Sequence, residues 1–203
     1  MLSYRYGEII MKKQFTPLYR IWHWLMALST LGLLFTVFLR KTFLSWHTNA
    51  DIIQTQLAVL GTDISAQSAK VVAKAIRAPM WEWHYVLGLV LGISILIRFY
   101  MILTKQGEIP LIALFKANDI HERIKYSVYL VLCSILIFMS VTGGLIYFYE
   151  FFGFTKEFAH DIKELHELML YPLITVVLLH FAGVLRHEFT TKEGIISKMI
   201  HGD

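Results

Sequence analysis

Four long apolar runs constrain the fold of this chain more than any other feature of its sequence. They cover, approximately, residues 18–39, 83–103, 124–148 and 162–185 of a 203-residue chain that is 56% hydrophobic. Each run is long enough to cross a hydrocarbon core of roughly 30 Å at a rise of roughly 1.5 Å per residue. Because backbone groups in lipid must bond internally, these runs are expected to be helices. The sequence therefore predicts an all-α membrane protein, a four-transmembrane-helix bundle that forms one domain over residues 1–203.

The distribution of charge predicts how the four spans cross the membrane. The net charge is +4, and Lys and Arg are more frequent on the side that would hold both termini and the second connection. Positive residues favour the cytoplasmic side, so both termini are predicted to be cytoplasmic. The first run is too long for a signal-peptide core and lacks a cleavage site, so we expect it to remain as a span. The basic balance indicates topology, and no motif indicates nucleic-acid binding.

Four histidines lie within or at the edge of these apolar runs, at depths that match in pairs. His23 lies near the cytoplasmic end of the first span, and His84 lies at the outer end of the second. On the fourth span His166 lies at the outer end, and His180 follows fourteen residues later, roughly 21 Å further along a helix. We name His23 and His180 the inner pair, and His84 and His166 the outer pair. Ionisable side chains are costly inside a membrane, so these four are functional candidates.

Each pair has the donor set of a metal site, and haem is the favoured occupant. Imidazole is a common ligand of haem iron, and two axial histidines favour one-electron transfer over oxygen binding. The single cysteine, Cys133, lies in the third span, and the chain has no C-x-x-C-H motif for covalent haem. In a competing interpretation each histidine only forms hydrogen bonds at the membrane interface, but this explains one histidine better than four. The pattern therefore predicts two stacked haems.

Three residues of the second span are candidates for contact with a cofactor. Arg98 follows His84 by fourteen residues and so lies on nearly the same face, at the depth of the inner pair. A buried guanidinium needs an anion, which a haem propionate would supply; alternatively, Arg98 extends to the cytoplasmic headgroups. Gly88 and Gly92 would let a flat macrocycle approach the helix, and simple helix packing explains them equally well.

The sequence predicts roles in helix packing or proton transfer for other residues of the third and fourth spans. Gly143 and Gly144 are predicted to serve close helix packing, and Pro172 to kink the fourth helix. His187 follows His180 by seven residues and would lie on about the same face, further inward. It is a candidate proton donor for quinone reduction, or an interfacial histidine near a basic helix end.

The connection over residues 41–82 is the longest in the chain and lies between two spans. Its sequence predicts one helix capped by Asn49 and a second capped by Ser65 or Asp63, which Pro79 would end. The second of these is predicted to be amphipathic, with Val71, Val72 and Ile76 on its apolar side. Such a helix could lie on the bilayer surface or contact a partner.

Four motifs in this chain resemble the prokaryotic cytochrome b561 family and the related b-type cytochrome subunits of nickel-iron hydrogenases. They are R-I-W-H-W-L at residues 20–25, W-H-Y-V-L-G-L-V-L with a later I-R at 83–98, L-H-E with L-H at 165–180, and L-R-H-E-F-T-T-K-E-G at 185–194. The resemblance implies a four-helix bundle with two b haems, ligated by His23, His84, His166 and His180. It also implies electron exchange with quinone, with His187 in the inner quinone region.

The sequence and the resemblance together predict a bacterial inner-membrane cytochrome that moves electrons between an outer-face redox partner or catalytic subunit and the quinone pool. Arg123 and Lys125 are further candidates to hold inner propionates, and a homo-oligomer is compatible with the sequence. One alternative is a stand-alone quinone-linked oxidoreductase, for instance one that oxidises superoxide. Another is a histidine-based metal-ion transporter, and a third is a passive anchor that docks a partner through residues 41–82.

Overall fold

The computed structural model describes residues 15–104, 109–191 and 194–202, and within them the regular structure is entirely helical. Several basic residues that bear on the predicted orientation lie outside the described residues: Arg5, Lys12, Lys13, Lys105 and Lys192. The helices are α1 Pro17–Lys41, α2 Trp46–Val59, α3 Ala66–Leu103, α4 Pro110–Lys116, α5 Ile120–Tyr147, α6 Lys156–Leu168, α7 Leu170–Thr191 and α8 Ile195–Ile200.

Four helical segments are long and apolar enough to cross a membrane. They are Pro17–Lys41, Ala66–Leu103, Ile120–Tyr147 and Lys156–Thr190. Many of their large apolar side chains are exposed on the protein surface, as expected of helices that face lipid. The predicted all-α, four-span fold class is confirmed.

The second membrane helix is much longer than the sequence predicted, because Pro79 does not end a helix. It lies inside α3, which runs without interruption from Ala66 to Leu103. The expectation of two separate helices here was therefore wrong. A proline removes only one intrahelical hydrogen bond, and the turns on either side of Pro79 are present, so the helix continues through it. This continuity joins the segment before the membrane directly to the span that carries His84.

The described residues divide into two compact units, and the division falls inside α1 and inside α3. One unit covers residues 25–94, and the other comprises the chain up to Trp24 and from Ile95 onward. In the first unit α1 and α3 approach closely at Gly32, where an added Cβ would lie 2.8 Å from Leu87 Cδ1. A side chain at this position would force Leu87 to move. The prediction of one domain over the whole chain stays a prediction.

The segment between the first two spans forms a helical hairpin within the unit of residues 25–94. The methyl groups of Ala50 on α2 and of Ala69 and Ala73 on α3 form its buried core. Val72 and Ile76 of the predicted apolar side are exposed, and the small alanines make the contact with α2. The predicted contact of that apolar side with the bilayer surface or a partner stays a prediction. Small side chains let two helices approach closely, whereas branched ones would hold them apart.

The predicted caps of this hairpin had different outcomes. Asn49 lies inside α2 and does not cap it, because its Nδ2 donates to the carbonyl of Phe43 at 3.1 Å and so holds the preceding turn. Ser65 does cap α3, since its Oγ accepts from the N–H of Ser68 at 3.0 Å.

In the other unit α5 packs against α4, α6 and α7. The fourth span consists of two helices, α6 and α7, with the break at Met169. Pro172 lies in the first turn of α7, where its missing N–H cannot bond to the carbonyl of Leu168. The interruption lies between His166 and His180, three residues before Pro172, and the kink predicted from Pro172 stays a prediction.

The C-terminal helix α8 is attached to the start of α1 and the end of α7. Glu188 Oε2 accepts from the N–H of Ile196 at 3.1 Å, near the start of α8. At its other end, Arg20 donates to the carbonyl of Ile200 at 3.0 Å, and Trp24 Nε1 donates to the carbonyl of Met199 at 3.2 Å. The end of α8 is therefore held beside Arg20 and Trp24, which lie on either side of His23 in α1.

Candidate functional site

The two histidines of the inner pair lie side by side, His23 on α1 and His180 on α7. Their imidazole ring centres are 6.4 Å apart, and the ring planes are inclined at 50°. A metal–imidazole bond is about 2 Å long and the ring centre lies about 1 Å behind the nitrogen, so two imidazoles on opposite sides of one ion have centres roughly 6 Å apart. The separation of His23 and His180 therefore fits a single metal ion between them.

The surroundings of the inner pair also indicate a missing partner. The buried Nδ1 atom of His23 has no hydrogen-bond partner among the described residues. A buried polar atom without a partner is costly, so this nitrogen indicates a group that the protein does not supply. The Tyr129 ring on α5 lies 5.7 Å from the His180 ring and forms a wall of the site that the sequence did not reveal.

Arg98 lies against two aromatic rings of α1, close in sequence to His23. Its guanidinium carbon is 4.9 Å from the centre of the Trp22 ring and 5.6 Å from that of Tyr19. Trp22 is buried and directly precedes His23 in the chain. Aromatic faces attract a guanidinium, so these rings hold the charge near the histidine-bearing turn. Its role as a propionate partner stays a prediction.

His84 is held by a threonine of the same unit. Thr36 Oγ1 on α1 lies 2.7 Å from Nδ1 of His84 on α3, and the same hydroxyl donates to the carbonyl of Leu33 at 2.6 Å. Thr36 is buried, so this contact is shielded from solvent. The threonine thus links the imidazole of His84 to the backbone of α1.

His166 is held in the same way in the other unit. Thr142 Oγ1 on α5 lies 2.8 Å from Nδ1 of His166 on α6, and the hydroxyl donates to the carbonyl of Phe138 at 2.7 Å. The next residue, Gly143, leaves room for the ring, since an added Cβ would lie 3.4 Å from His166 Cε1. Gly143 was expected to serve helix packing, and the group that it admits is this imidazole.

Two arginines gather near His84, and their place there is not evident from the sequence. The guanidinium carbons of Arg40 and Arg77 lie 5.5 Å and 6.0 Å from the centre of the Trp81 ring. The Trp81 ring is in turn 5.6 Å from the ring of His84. On α3, Arg77, Trp81 and His84 are spaced at i, i+4 and i+7, a signal that becomes readable once the helix is known to continue through Pro79.

The remaining predicted residues lie at several places in the structure. Gly88 and Gly92 lie half-buried on α3, and an added Cβ on Gly88 would meet nothing within 4 Å. His187 lies half-buried on α7, the helix that carries His180. The roles predicted for these residues stay predictions.

Both further cation candidates for the propionates are exposed near the start of α5. Arg123 donates its Nε–H to the carbonyl of Ala117 at 3.2 Å, and the Lys125 ammonium lies 4.4 Å from the Tyr126 ring. These contacts occupy both side chains, and their role as propionate partners stays a prediction.

The donor set differs from that of a site for a bare metal ion. Within the described residues, no three His, Cys, Asp or Glu side chains gather as a metal site. A porphyrin supplies four nitrogen ligands itself, so two histidines complete the coordination of its iron. The pairing of the two imidazoles of His23 and His180 therefore fits haem.

Four apolar helices and internal imidazole donors define a multi-pass membrane protein with the donors of a haem site. The family model for prokaryotic cytochrome b561 matches residues 14–202, nearly the whole chain, so the protein belongs to this family. It is a b-type membrane cytochrome that takes part in electron transfer, with b haem as cofactor and lipid around its helices. No curated protein and no solved structure matches the chain.

Proposed function

We propose that the protein carries two b haems and transfers electrons across the bacterial inner membrane, between an outer-face redox partner and the quinone pool. The observation that carries this proposal is the 6.4 Å separation of the His23 and His180 rings. When bound, haem supplies an iron that accepts and returns one electron. Two protein imidazoles on one iron leave no coordination position for oxygen, which favours electron transfer over oxygen chemistry.

At the inner site, His23 and His180 would hold the iron and Arg98 would bind a propionate. The Trp22 and Tyr19 rings keep the Arg98 guanidinium close to the turn that carries His23. A planar guanidinium binds a carboxylate through two parallel hydrogen bonds, which fixes the orientation of the carboxylate as well as its position. Arg98 would therefore orient the inner haem as well as retain it.

At the outer site, His84 and His166 would hold the iron, and Arg40 and Arg77 would bind propionates. Both guanidiniums lie over the Trp81 indole, whose ring is next to that of His84. Two like charges near one another repel, and a bound carboxylate would offset that repulsion. The arrangement repeats that of the inner site, where an arginine also lies over a tryptophan next to a ligand histidine.

Quinone would react at the cytoplasmic end, where protons are available. His187 is seven residues after His180 on α7 and is the candidate proton donor. Its neighbour Glu188 is held by the N–H of Ile196, which fixes this end of α7 to the C-terminal helix. Quinone reduction takes up protons with electrons, and an imidazole can exchange protons near neutral pH.

The orientation and the electron partner also belong to this proposal. The excess of Lys and Arg on one side supports cytoplasmic termini and an outer location for the α2–α3 hairpin. The hairpin carries exposed apolar side chains on both of its helices, among them Ile52 and Val72. An outer redox protein or catalytic subunit would contact this surface of the hairpin. Self-association of the chain is compatible with the proposed function.

The proposal is tested by asking whether electrons from quinol reach the outer haem through the inner one. Purified protein in lipid vesicles is mixed with a short-chain quinol, and reduction of each haem is followed by stopped-flow absorbance. We expect rapid reduction of both haems in the wild type and in His160→Ala, an exposed histidine on α6. In His180→Ala, which lacks the inner haem, reduction of the outer haem should be strongly slowed. Reduction of the outer haem at the wild-type rate in His180→Ala would contradict the relay.

A further inference from the structure

Two buried threonines on different helices make the same contact with the two histidines of the outer pair. Thr36 and Thr142 are each 5% exposed. Their hydroxyl oxygens lie 2.7 Å and 2.8 Å from the Nδ1 atoms of His84 and His166. The same arrangement occurs once in each of the two compact units of the chain, so it arises twice from unrelated sequence neighbours.

The direction of these hydrogen bonds follows from counting hydroxyl protons. A threonine hydroxyl has one proton to donate. Thr36 donates it to the carbonyl of Leu33 at 2.6 Å, and Thr142 donates it to the carbonyl of Phe138 at 2.7 Å. If either hydroxyl donated to the imidazole instead, its oxygen would face a carbonyl oxygen at this distance with no proton between them. Each threonine oxygen must therefore accept, and each Nδ1 must carry the hydrogen.

A neutral imidazole with its hydrogen on Nδ1 has its lone pair on Nε2. The two threonines thus select the tautomer in which Nε2 can bind a metal, and they do so before any metal arrives. His23 of the inner pair differs, because its Nδ1 has no hydrogen-bond partner among the described residues. The threonine contact is therefore a feature of the outer histidines and is absent at this inner nitrogen.

We propose that Thr36 and Thr142 are positioning residues for the outer haem, which fix the tautomer of its two axial ligands and lower its reduction potential. This inference rests on the proposed function, in which His84 and His166 ligate one haem. A hydrogen bond from the distal N–H of a ligand imidazole raises its basicity. A more basic ligand stabilises oxidised iron relative to reduced iron, so the potential of that haem falls.

The experiment is a spectroscopic redox titration of the purified holoprotein, which resolves the two haems. Thr36→Val and Thr142→Val keep the shape of the side chain but remove its hydroxyl group. Thr36→Ser and Thr142→Ser keep the hydroxyl group. Thr30→Val is the matched control, because Thr30 is also buried on α1. We expect each Val variant to raise the midpoint potential of one haem, the same haem in both cases. The Ser variants and Thr30→Val should titrate as the wild type does.

Several outcomes would overturn the inference. If both haems are retained and neither potential moves in Thr36→Val and Thr142→Val, or if both potentials move equally, the threonines do not act on the outer haem. If a Val variant loses a haem, the haem content of the Ser variant at the same position tests the inference. A Ser variant that retains both haems supports it. A Ser variant that loses as much haem as the Val variant contradicts it. A wild-type protein without two haems would instead overturn the proposed function, and this inference with it.

Discussion

The imidazole rings of His23 and His180 lie 6.4 Å apart, although one belongs to the first membrane helix and the other to the last. The packing of α5 against α7, and the contacts of α8 with Arg20 and Trp24, hold these distant parts of the chain in one unit. Two donors from far-separated segments on one ion would act together, since removing either one leaves the ion with half of its protein ligands.

Replacement of the two inner histidines should therefore be non-additive. We expect His23→Ala and His180→Ala each to lose one of two haems, and the double variant to lose no more. By contrast, His23→Ala combined with His84→Ala should lose both haems. Haem per polypeptide in purified protein measures this, with His160→Ala as the control. Loss of both haems in the double inner variant would mean that the two histidines serve different sites.

Removal of a guanidinium should lower the potential of one haem. Reduction adds negative charge to a haem, and a nearby cation stabilises that charge. Arg98→Gln should therefore lower the midpoint potential of the inner haem, on the order of 1 kcal/mol or a few tens of millivolts. Arg77→Gln should lower that of the outer haem instead. A redox titration distinguishes the two, and an unchanged potential of both haems in Arg98→Gln would contradict its role as a propionate partner.

Side chains added at Gly143 should disturb the outer haem according to their size. An added Cβ would lie 3.4 Å from Cε1 of His166, so Gly143→Ala requires only a small shift of the ring, whereas the methyl groups of Gly143→Val would displace it. We expect Gly143→Ala to retain both haems and Gly143→Val to lose the outer one. Gly144→Val is the matched control, because a Cβ there meets nothing within 4 Å. Equal haem loss in the Val variants at positions 143 and 144 would point to helix packing alone.

Loss of His187 should slow quinone chemistry without changing the haems. General acid–base catalysis by a placed side chain contributes typically 10²–10⁴-fold, so His187→Gln should lower the quinone-linked rate by about a hundredfold. Its absorbance spectrum should match that of the wild type, and so should the rate of His201→Gln, an exposed histidine after α8. A wild-type rate in His187→Gln would show that the histidine is only an interfacial residue.

The features that sequence predicted well are those set by lipid. Apolar runs of sufficient length must become helices there, and all four predicted runs lie within helices, although the second helix begins well before its run. The break near Pro172 also follows from a local rule, because a missing N–H weakens the preceding turn. At Pro79 the same rule gave the wrong result. Helical residues precede and follow this proline, and together they form one helix that continues through it.

The parts of the site that sequence did not reveal depend on contacts between helices. Thr36 and Thr142 resemble many threonines of membrane helices, and only tertiary packing brings their hydroxyls to imidazoles. Arg40 likewise comes to the Trp81 ring from another helix. The ligand histidines were readable because an imidazole in an apolar run is rare, whereas a threonine there is common.

The most direct test of this account is the number of haems per chain. Purified protein, from cells that make haem normally, is assayed by pyridine haemochrome together with a quantitative amino-acid analysis. We predict two b haems per polypeptide and a two-step redox titration. One haem per chain, or none, would contradict the central claim that His23 with His180 and His84 with His166 form two separate haem sites.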